Sequence, residues 1–420
     1  MNFRHKSVYS NAIPIAALFI SFAVFYLRRP DILQNPSFWA EDGVVWYKQA
    51  YEFGIISLVW PQNGYYQTIS KLTALASLSF PMEYAPLFFN VVGVTIRSLF
   101  VAYILTNRMS AIPLSYRIAI CAYIVLMPGL MEVHANITNT HWYLSMWILC
   151  VLISNRPNSQ LWFIHDLVLM FIAGLSGPFV VFLVPVFAVR FCFDPDFRRY
   201  LKTTKGMLFA GALTAVCAIQ VIAVLLSYNE TRSSAPLGFS FDVMANILSA
   251  RIFVGAFLTA DQIRWLFDHS VINAVATILS LALLFFVLLK SNWIVKSIIL
   301  FASIMLFFAL SKPMISLTDP QLPLLSSAGE RYFVITNIAW VASLLSACGY
   351  VAKKLSDAVK YTVSTTIAAV FLIVSAFNFS IEPLSDTNWT EQAMAFQKLN
   401  SGERFEFQLN PPSWKMTLVR

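Results

Sequence analysis

The stretch VINAVATILSLALLFFVLL, residues 271–289, runs for 19 positions without a charged side chain. A helix needs about 20 mostly apolar residues to cross the hydrocarbon core of a bilayer, so this stretch predicts a membrane-spanning helix. The rest of the chain has the same character, since 58% of its 420 residues are hydrophobic and only 12% are charged. Its mean hydropathy is +0.68. An average soluble domain has roughly 25% charged residues, so the composition predicts an integral membrane protein.

Apolar stretches of this kind recur along the whole chain. With the first one they number eleven, and they lie at 12–27, 86–105, 116–131, 141–154, 161–175, 178–193, 206–227, 271–289, 297–311, 333–350 and 361–377. We therefore expect an all-α fold, a polytopic membrane bundle of about 11 transmembrane helices that forms one integral membrane domain over residues 1–420.

Basic residues concentrate in the short linkers on one side of this arrangement. The amino-terminal tail and five linkers hold 15 of the 29 Lys and Arg residues but only 3 of the 21 acids. These linkers are 106–117, 155–160, 190–205, 290–296 and 351–360. Lys and Arg in short loops mark the cytoplasmic side. We expect a cytoplasmic amino terminus in a plasma membrane, for bacteria the inner membrane. The net charge of +8 then reflects topology, and no nucleic-acid partner is expected.

The first outside loop, residues 28–85, carries two adjacent acids. In WAEDG, residues 39–43, Glu41 and Asp42 stand between aromatic residues and a glycine. One interpretation makes Asp42 the N-cap of the amphipathic surface helix predicted at 44–59. The other makes the pair catalytic, because a carboxylate held at headgroup level by aromatic residues is partly desolvated and gains proton affinity. A second surface helix is expected at 65–80.

Two other polar clusters fall on the same predicted side. The loop EVHANITNTHW, residues 132–142, offers groups suited to bind a sugar. They are His134, Asn136, Asn139, His141 and Trp142. A solvated polar turn is the simplest alternative. A zinc site at the two histidines is another, although spacing identifies no third ligand.

The second cluster is LSSAGERYF, residues 325–333, with Arg331 and Tyr332 near one end of the loop and Lys312 at the other. A guanidinium matches the geometry of phosphate oxygens, so a lipid phosphate is the expected ligand. In the simpler interpretation, Arg331 reaches the membrane surface or pairs with Glu330. The short polar tail, residues 378–420, is also expected outside.

Two charged residues lie well inside predicted spans, where each needs a partner of opposite charge or a polar group. Arg97, in the second predicted span, is costly in hydrocarbon, and Asp166 in the fifth is a candidate partner.

The five cysteines lie in or beside apolar spans, and none is placed to form a disulfide or a Cys-rich metal site.

The whole pattern resembles the GT-C superfamily of polyprenyl-phosphate-dependent glycosyltransferases. This superfamily includes protein O-mannosyltransferases, aminoarabinose transferases of lipid A and phage-type O-antigen glucosyltransferases. The shared features are the cytoplasmic amino terminus, the many spans and a long first outside loop with acids soon after the first span. In those enzymes this loop carries the catalytic acid in short patterns such as Asp-Asp or Glu-x-Asp, and surface helices follow. The acids of WAEDG have no spacer, which leaves open whether Glu41 or Asp42 is catalytic.

The resemblance implies an inverting glycosyltransferase of bacterial surface glycans. The donor would be a hexose or pentose on a polyprenyl phosphate, and the acceptor a glycan or a lipid-linked molecule on the outer face. Asp42 or Glu41 would be the base, Arg331 with Lys312 would stabilise the departing phosphate, and the 132–142 loop with Tyr332 would hold the substrates. No metal is required by this chemistry, and Mg or Mn would be optional.

Two other classes of function remain open. A transporter or flippase of an anionic or lipid-linked substrate would use intramembrane charges such as Arg97 and Asp166. Such a protein is expected to have a repeat between its halves, which the sequence lacks. A polymerase or ligase of lipid-linked glycans would share much of the chemistry of a glycosyltransferase.

Overall fold

The structure is a computed structural model that describes residues 3–227, 240–311 and 329–420. Its α-helices are α1 (Phe3–Arg28), α2 (Asp31–Gln34), α3 (Lys48–Phe53), α4 (Thr68–Ser77), α5 (Ala85–Ile104), α6 (Leu114–Leu126), α7 (Thr140–Ile153), α8 (Gln160–Gly174), α9 (Leu183–Phe193), α10 (Pro195–Leu201), α11 (Thr204–Leu226), α12 (Phe241–Ile247), α13 (Ala260–Phe267), α14 (Ser270–Lys290), α15 (Trp293–Ser311), α16 (Val334–Ala352), α17 (Asp357–Phe377) and α18 (Trp389–Gln397).

Tighter and wider helical turns connect these helices. Two π-helical turns lie at Asp42–Tyr47 and Leu248–Phe253, and 3-10 turns lie at Gly54–Val59, Met82–Tyr84, Asn107–Met109, Pro178–Phe182, Gly255–Phe257 and Glu330–Phe333. Two antiparallel strands, β1 (Arg404–Gln408) and β2 (Lys415–Val419), form a hairpin in the tail.

A helix lies in each of the eleven predicted apolar segments, but the helices differ in length. Six stretches of the described residues are long and apolar enough to cross a membrane: Met82–Ile104, Thr204–Leu226, Ser270–Lys290, Trp293–Ser311, Glu330–Ala352 and Asp357–Phe377. A seventh crossing results if Pro178–Phe193 and Pro195–Leu201 count as one span, although they bend by 110°. The apolar parts of α1, α6, α7 and α8 are shorter, at 10–17 residues. The chain is mostly helical and membrane-embedded, and eleven crossings stay a prediction.

One end of the bundle is held together by a buried arginine that binds helix carboxyl termini. Arg28, at the end of α1, donates to the carbonyl oxygens of Val125 and Met127 at the end of α6. It also donates to those of Asn378 and Phe379 at the end of α17. The last carbonyls of a helix lack intrahelical donors and carry partial negative charge, so a cation is stabilising there. We call this end of the bundle the loop end.

The opposite end, which we call the basic end, gathers the linkers rich in Lys and Arg. Arg108 pairs with Asp166 of α8 at 2.8 Å and donates to the carbonyl oxygen of Asn155. Arg190 pairs with Asp194 at 3.1 Å. Arg190 also donates to the carbonyl oxygen of Leu152 near the end of α7. These contacts bring the linkers after α5 and α7 and the end of α9 together, as their predicted location on one side of the membrane requires.

The loop between α6 and α7, residues 127–139, is irregular backbone enclosed by the bundle, and we call it the central loop. Arg97 of α5 donates to the carbonyl oxygens of Val133 and Asn136 at 2.8 and 3.0 Å. It also donates to the Thr140 hydroxyl at 2.9 Å. The suggested pairing of Arg97 with Asp166 is therefore wrong. Asp166 is paired at the basic end, whereas Arg97 satisfies backbone carbonyls that have no water to bind.

The surface helices predicted at 44–59 and 65–80 take the form of α3 with its flanking turns and of α4. Lys71 of α4 is buried and donates to the carbonyl oxygens of Ser57 and Trp60 at 2.6 and 2.5 Å. Ile55 and Val59 of the intervening turn are 74% and 64% exposed. Exposed apolar side chains on a short amphipathic segment suit the bilayer surface.

The tail folds against the first loop and adds one small hairpin to the helical bundle that was predicted. In β1 and β2 the residues Phe407, Met416 and Leu418 are buried while their neighbours are exposed. This alternation is the two-residue period of a strand. The buried side chains form one cluster with Phe38 of the first loop and Trp389 of α18. The sheet is small, but it fixes the backbone beside the acidic pair.

The fit between α5 and the central loop predicts a sharp difference between two glycines. A Cβ at Gly93 would lie 2.1 Å from the carbonyl oxygen of Ala135, whereas a Cβ at Gly211 of α11 meets nothing within 4 Å. We expect Gly93→Ala to cost about 3 kcal/mol or more, because backbone must move. Gly211→Ala should change stability by about 1 kcal/mol or less. Thermal melting of the purified proteins measures both, and equal melting temperatures would contradict the described packing.

Candidate functional site

A cavity of about 530 Å³ opens at the loop end, between the first loop, the central loop and the tail. Its polar and aromatic wall includes Trp39, Glu41, Asn139, His141, Trp142 and Trp414. Its opposite wall is apolar and consists of side chains from α11 and α15, among them Val221, Leu225, Met305 and Phe308. A cavity with one polar and one apolar side suits an amphipathic ligand.

Glu41 reaches this cavity through a turn of unusual backbone geometry. The preceding residue, Ala40, has φ of +29°, a conformation that L-residues rarely adopt. The tail holds the turn, since the Ala40 amide donates to the carbonyl oxygen of Asn410 and the Asn410 amide donates to that of Phe38. The carboxylate of Glu41 is half-buried and has no hydrogen-bond or ion-pair partner within the described ranges. Backbone strain that the surroundings enforce is a feature of functional sites.

Gly43 explains why a glycine follows the acids. A Cβ there would lie 2.8 Å from Cδ1 of Leu409, the residue after β1. The glycine lets the tail pack directly on the helical turn that begins at Asp42. The WAEDG sequence thus combines an acid that faces the cavity with a close contact behind it.

Asp42 does not line the cavity, and it does not cap its own helix. It is 1% exposed, and its carboxylate accepts from the amides of Ile137 and Thr138 at 3.0 and 2.8 Å. The Thr138 hydroxyl donates to it at 2.6 Å. The N-cap interpretation of Asp42 is therefore wrong, because its oxygens are turned into the central loop. There they satisfy the amides that precede α7.

Of the five residues predicted in the 132–142 loop, three line the cavity: Asn139, His141 and Trp142. His134 and Asn136 lie behind it. Nε2 of His134 donates to the carbonyl oxygen of Phe25 at 2.7 Å, and burial lowers the pKa of His134 well below its usual value, so the ring is neutral. Asn136 binds the carbonyl of Glu132 and the amide of Asn139. These two side chains hold the loop and cannot touch a ligand in the cavity.

Arg331 lines the cavity beside Tyr332, as a phosphate-binding residue would. Its guanidinium forms an ion pair with Glu132 and lies 4.7 Å from the centre of the Tyr332 ring. The alternative pairing with Glu330 is not observed, since Glu330 instead accepts from the Glu132 amide at 2.9 Å. Lys312 lies outside the described residues.

No three His, Cys, Asp or Glu side chains within the described residues are grouped to hold a metal ion. His134 and His141 are held by separate carbonyl oxygens, those of Phe25 and Thr138. The five cysteines are all free thiols. The residues that line the cavity carry carboxylate, amide, imidazole and guanidinium groups.

Trp414, Gln220 and Glu132 are among the residues at the cavity that the sequence analysis did not propose for the site. Trp414 comes from the tail, and only the fold brings it near the first loop. Gln220 lies inside the apolar α11, where its amide donates to the carbonyls of Gly174 and Gly177 and accepts from the Tyr66 amide. A polar residue within a span was the available signal. Glu132 was noted only as part of its loop.

The fold and the cavity together define a membrane-embedded helical protein with an amphipathic pocket at one end. None of the protein-family models, curated proteins or solved structures compared with the chain matches it. Its function must therefore be argued from the site alone.

The buried carboxyl group predicts a pH dependence. Burial raises the pKa of Asp42 from its ordinary value of 3.8 to about 7, although the hydrogen bonds from Thr138 and Ile137 lower it. As the pH rises, the unfolded chain loses this proton first, so the folded state loses stability between about pH 4 and pH 7. The loss is roughly 1.4 kcal/mol per pH unit at most.

Thermal melting over this pH range, with Asp42→Asn as the comparison, measures the effect. The variant should have a lower melting temperature at low pH and a flatter pH dependence than the native protein. Parallel curves for the two proteins would mean that Asp42 does not titrate in this window.

Proposed function

We propose that this protein is a glycosyltransferase of the GT-C type. It moves a sugar from a polyprenyl-phosphate donor to a glycan or lipid-linked acceptor at the outer face of a plasma membrane. The observation that carries the proposal is the position of Glu41 on the wall of an aromatic-lined cavity. The carboxylate of Glu41 has no hydrogen-bond or ion-pair partner within the described part of the chain.

In the proposed reaction Glu41 is the base. It takes the proton from an acceptor hydroxyl as that oxygen forms a bond to the anomeric carbon. The bond from the same carbon to the phosphate oxygen breaks on the opposite face, and the configuration inverts. Lipid phosphate is a good leaving group and needs no proton in this step. Of the two candidate acids, Glu41 takes the catalytic role because only its side chain lines the cavity.

Asp42 is a positioning residue in this proposal. Its contacts with Ile137 and Thr138 hold the end of the central loop, next to the three loop residues that line the cavity. Those residues, Asn139, His141 and Trp142, would orient the sugar relative to the attacking oxygen. Fixing two reactants in line lowers the barrier without any further chemistry.

The donor fits the two-sided lining of the cavity. The apolar wall from α11 and α15 would face the first isoprene units of the lipid. Arg331, which Glu132 holds at the wall, would bind the phosphate and stabilise its growing charge. This chemistry requires no metal, and Mg²⁺ or Mn²⁺ would be an optional addition.

The proposal includes eleven crossings with the amino terminus in the cytoplasm. The basic linkers lie at the end opposite the cavity, and basic loops face the cytoplasm, so the cavity would face outside. The short helices α6, α7 and α8 would then cross in company with longer neighbours.

The main rival, a transporter or flippase, loses its principal support. Arg97 and Asp166, the charges on which it would depend, are engaged by loop carbonyls and by Arg108. Transport through the bundle would break these buried contacts. A polymerase or ligase of lipid-linked glycans would use the same cavity, and the identity of the acceptor would separate it from a single-sugar transferase.

The first test is the mass of the surface glycan in cells that carry Glu41→Gln. We expect the loss of one sugar-sized mass, because removal of a general base slows transfer by about 10² to 10⁴-fold. Asp42→Asn should reduce transfer less, because it disturbs the loop without removing the base. Glu391→Gln, at an exposed site on α18, is the matched control and should have no effect. An unchanged glycan in Glu41→Gln cells with normal protein levels in the membrane would overturn the proposal.

A second test concerns Trp414, the aromatic wall contributed by the tail. Trp414→Ala should raise the apparent KM for the substrates about tenfold with a smaller change in kcat, since it removes a binding surface and no reacting group. Trp265→Ala is the control, because Trp265 is 55% exposed and does not line the cavity. Equal KM values for the two variants would exclude a binding role for Trp414.

A further inference from the structure

A second cavity lies away from the proposed active site, towards the basic end. It has a volume of about 480 Å³ and is bounded by α5, α6 and α7 on one side and by α14, α15 and α16 on the other. Along α16 its lining runs from Ile335 to Lys353. At 1.5 Å per residue this length is about 27 Å, close to the thickness of the hydrocarbon core. The cavity is thus a long slot, which we call the α16 slot.

The walls of the slot are apolar along most of its length. The α16 residues that face it recur at the spacing of one helical face and include Ile338, Ala339, Ala342 and Leu345. Side chains such as Phe100 and Met146 complete the opposite wall. The small residues of α16 keep the slot open, since alanine leaves room between the helices. Such a space is shaped for a hydrocarbon chain.

The basic end of the slot carries three cations, Arg117, Lys290 and Lys353, and no acidic residue lines it. Neither lysine ammonium has a hydrogen-bond or ion-pair partner among the residues that the structure describes. Arg117 donates to the carbonyls of Ile104 and Thr106, but its Nε is buried without a partner. Three positive charges without an acid leave a site for an anion.

Helix α6 adds to this positive field. It begins at the slot, after Pro113, and no side chain caps its first turn. The amino-terminal end of a helix carries partial positive charge and unpaired amides, so a cation such as Arg117 is unfavourable there unless an anion is present. A ligand phosphate at this position would balance the charge.

We propose that the α16 slot binds an anionic phospholipid from the adjacent leaflet. Its phosphate would lie among Arg117, Lys290 and Lys353, and an acyl chain would extend along α16. Complementary charge at one end and an apolar slot of bilayer length favour a lipid over a free anion. This site is independent of the proposed transfer reaction at the loop end.

Native mass spectrometry of the purified full-length protein tests the proposal. The protein is titrated with phosphatidylglycerol and, separately, with phosphatidylcholine of the same acyl chains. We expect one phosphatidylglycerol to bind at a concentration about tenfold lower than phosphatidylcholine, because cations near a membrane surface favour anionic lipids. Equal binding of the two lipids would overturn the proposal.

Three variants make the test specific. The pair Lys290→Gln with Lys353→Gln should remove the preference for phosphatidylglycerol. The pair Lys202→Gln with Lys354→Gln is the matched control, since both residues are exposed at the basic end and neither lines the slot. Ala342→Trp should fill the slot and reduce binding of both lipids. A control pair that loses the preference equally would reduce the effect to net charge and overturn the site.

Two competitors separate other sources of phosphate. Inorganic phosphate at millimolar concentration should leave bound phosphatidylglycerol in place, and its displacement would mean that the slot binds a free anion. Undecaprenyl phosphate should compete no better than phosphatidylglycerol. If it binds at a concentration about tenfold lower, the occupant is an isoprenoid phosphate and the phospholipid assignment is wrong.

Discussion

The structure depends on one constraint, which is that irregular backbone enclosed in a membrane bundle must find hydrogen-bond partners inside the protein. The central loop has that problem over residues 127–139, and charged side chains solve it. Arg97 and Arg28 donate to its carbonyl oxygens or to those of its flanking residues, and Asp42 accepts from its amides. Each of these charges would be costly if it were buried alone. Together they make a fixed loop out of a segment that has no regular structure.

The central loop also positions the acid that lines the cavity. Because Asp42 is bound to it, the neighbouring Glu41 is placed beside the loop with its side chain turned into the cavity. The tail holds the other side of the same turn through Asn410. The two adjacent acids therefore have different roles. Asp42 supports the central loop, and Glu41 is accessible to a ligand in the cavity. A pair in which both acids faced the cavity would have left the amides of the loop without acceptors.

The two cavities share a design in which an apolar wall ends at positive charge. At the loop end the cation is Arg331, which is held by Glu132 and lies beside aromatic and amide groups. At the basic end the cations of the α16 slot have no acid among the lining residues. The first arrangement supports a proposal of chemistry on a lipid-borne substrate. The second supports a proposal of lipid binding alone, since no carboxylate lines it that could be the base of a transfer reaction.

The sequence by itself determined the class of the protein and much of its architecture. Long uncharged stretches can be stable only in lipid, so the membrane helices and the surface helices before α5 could be located from composition and periodicity. The clustering of basic linkers at one end followed from charge alone. Residues Asn139, His141, Trp142 and Arg331 were identified as site candidates because polar groups are scarce in this chain, and the structure brings them to one cavity.

Only the tertiary structure decided how the polar residues divide between support and site. Neighbours such as Glu41 and Asp42, or His134 and His141, have the same chemistry in the sequence, and their roles differ only because the fold turns one inward and one towards the cavity. The hydrogen-bond partners of Arg97 and the position of Trp414 at the cavity both depend on contacts between segments that are distant in the sequence. The hairpin in the tail is short, so its two-residue alternation is too weak to predict strands from the sequence. The strands are stable because their apolar side chains pack on a hydrophobic surface formed by distant segments. Local patterns specify helices, whereas long-range packing specifies which side chains meet.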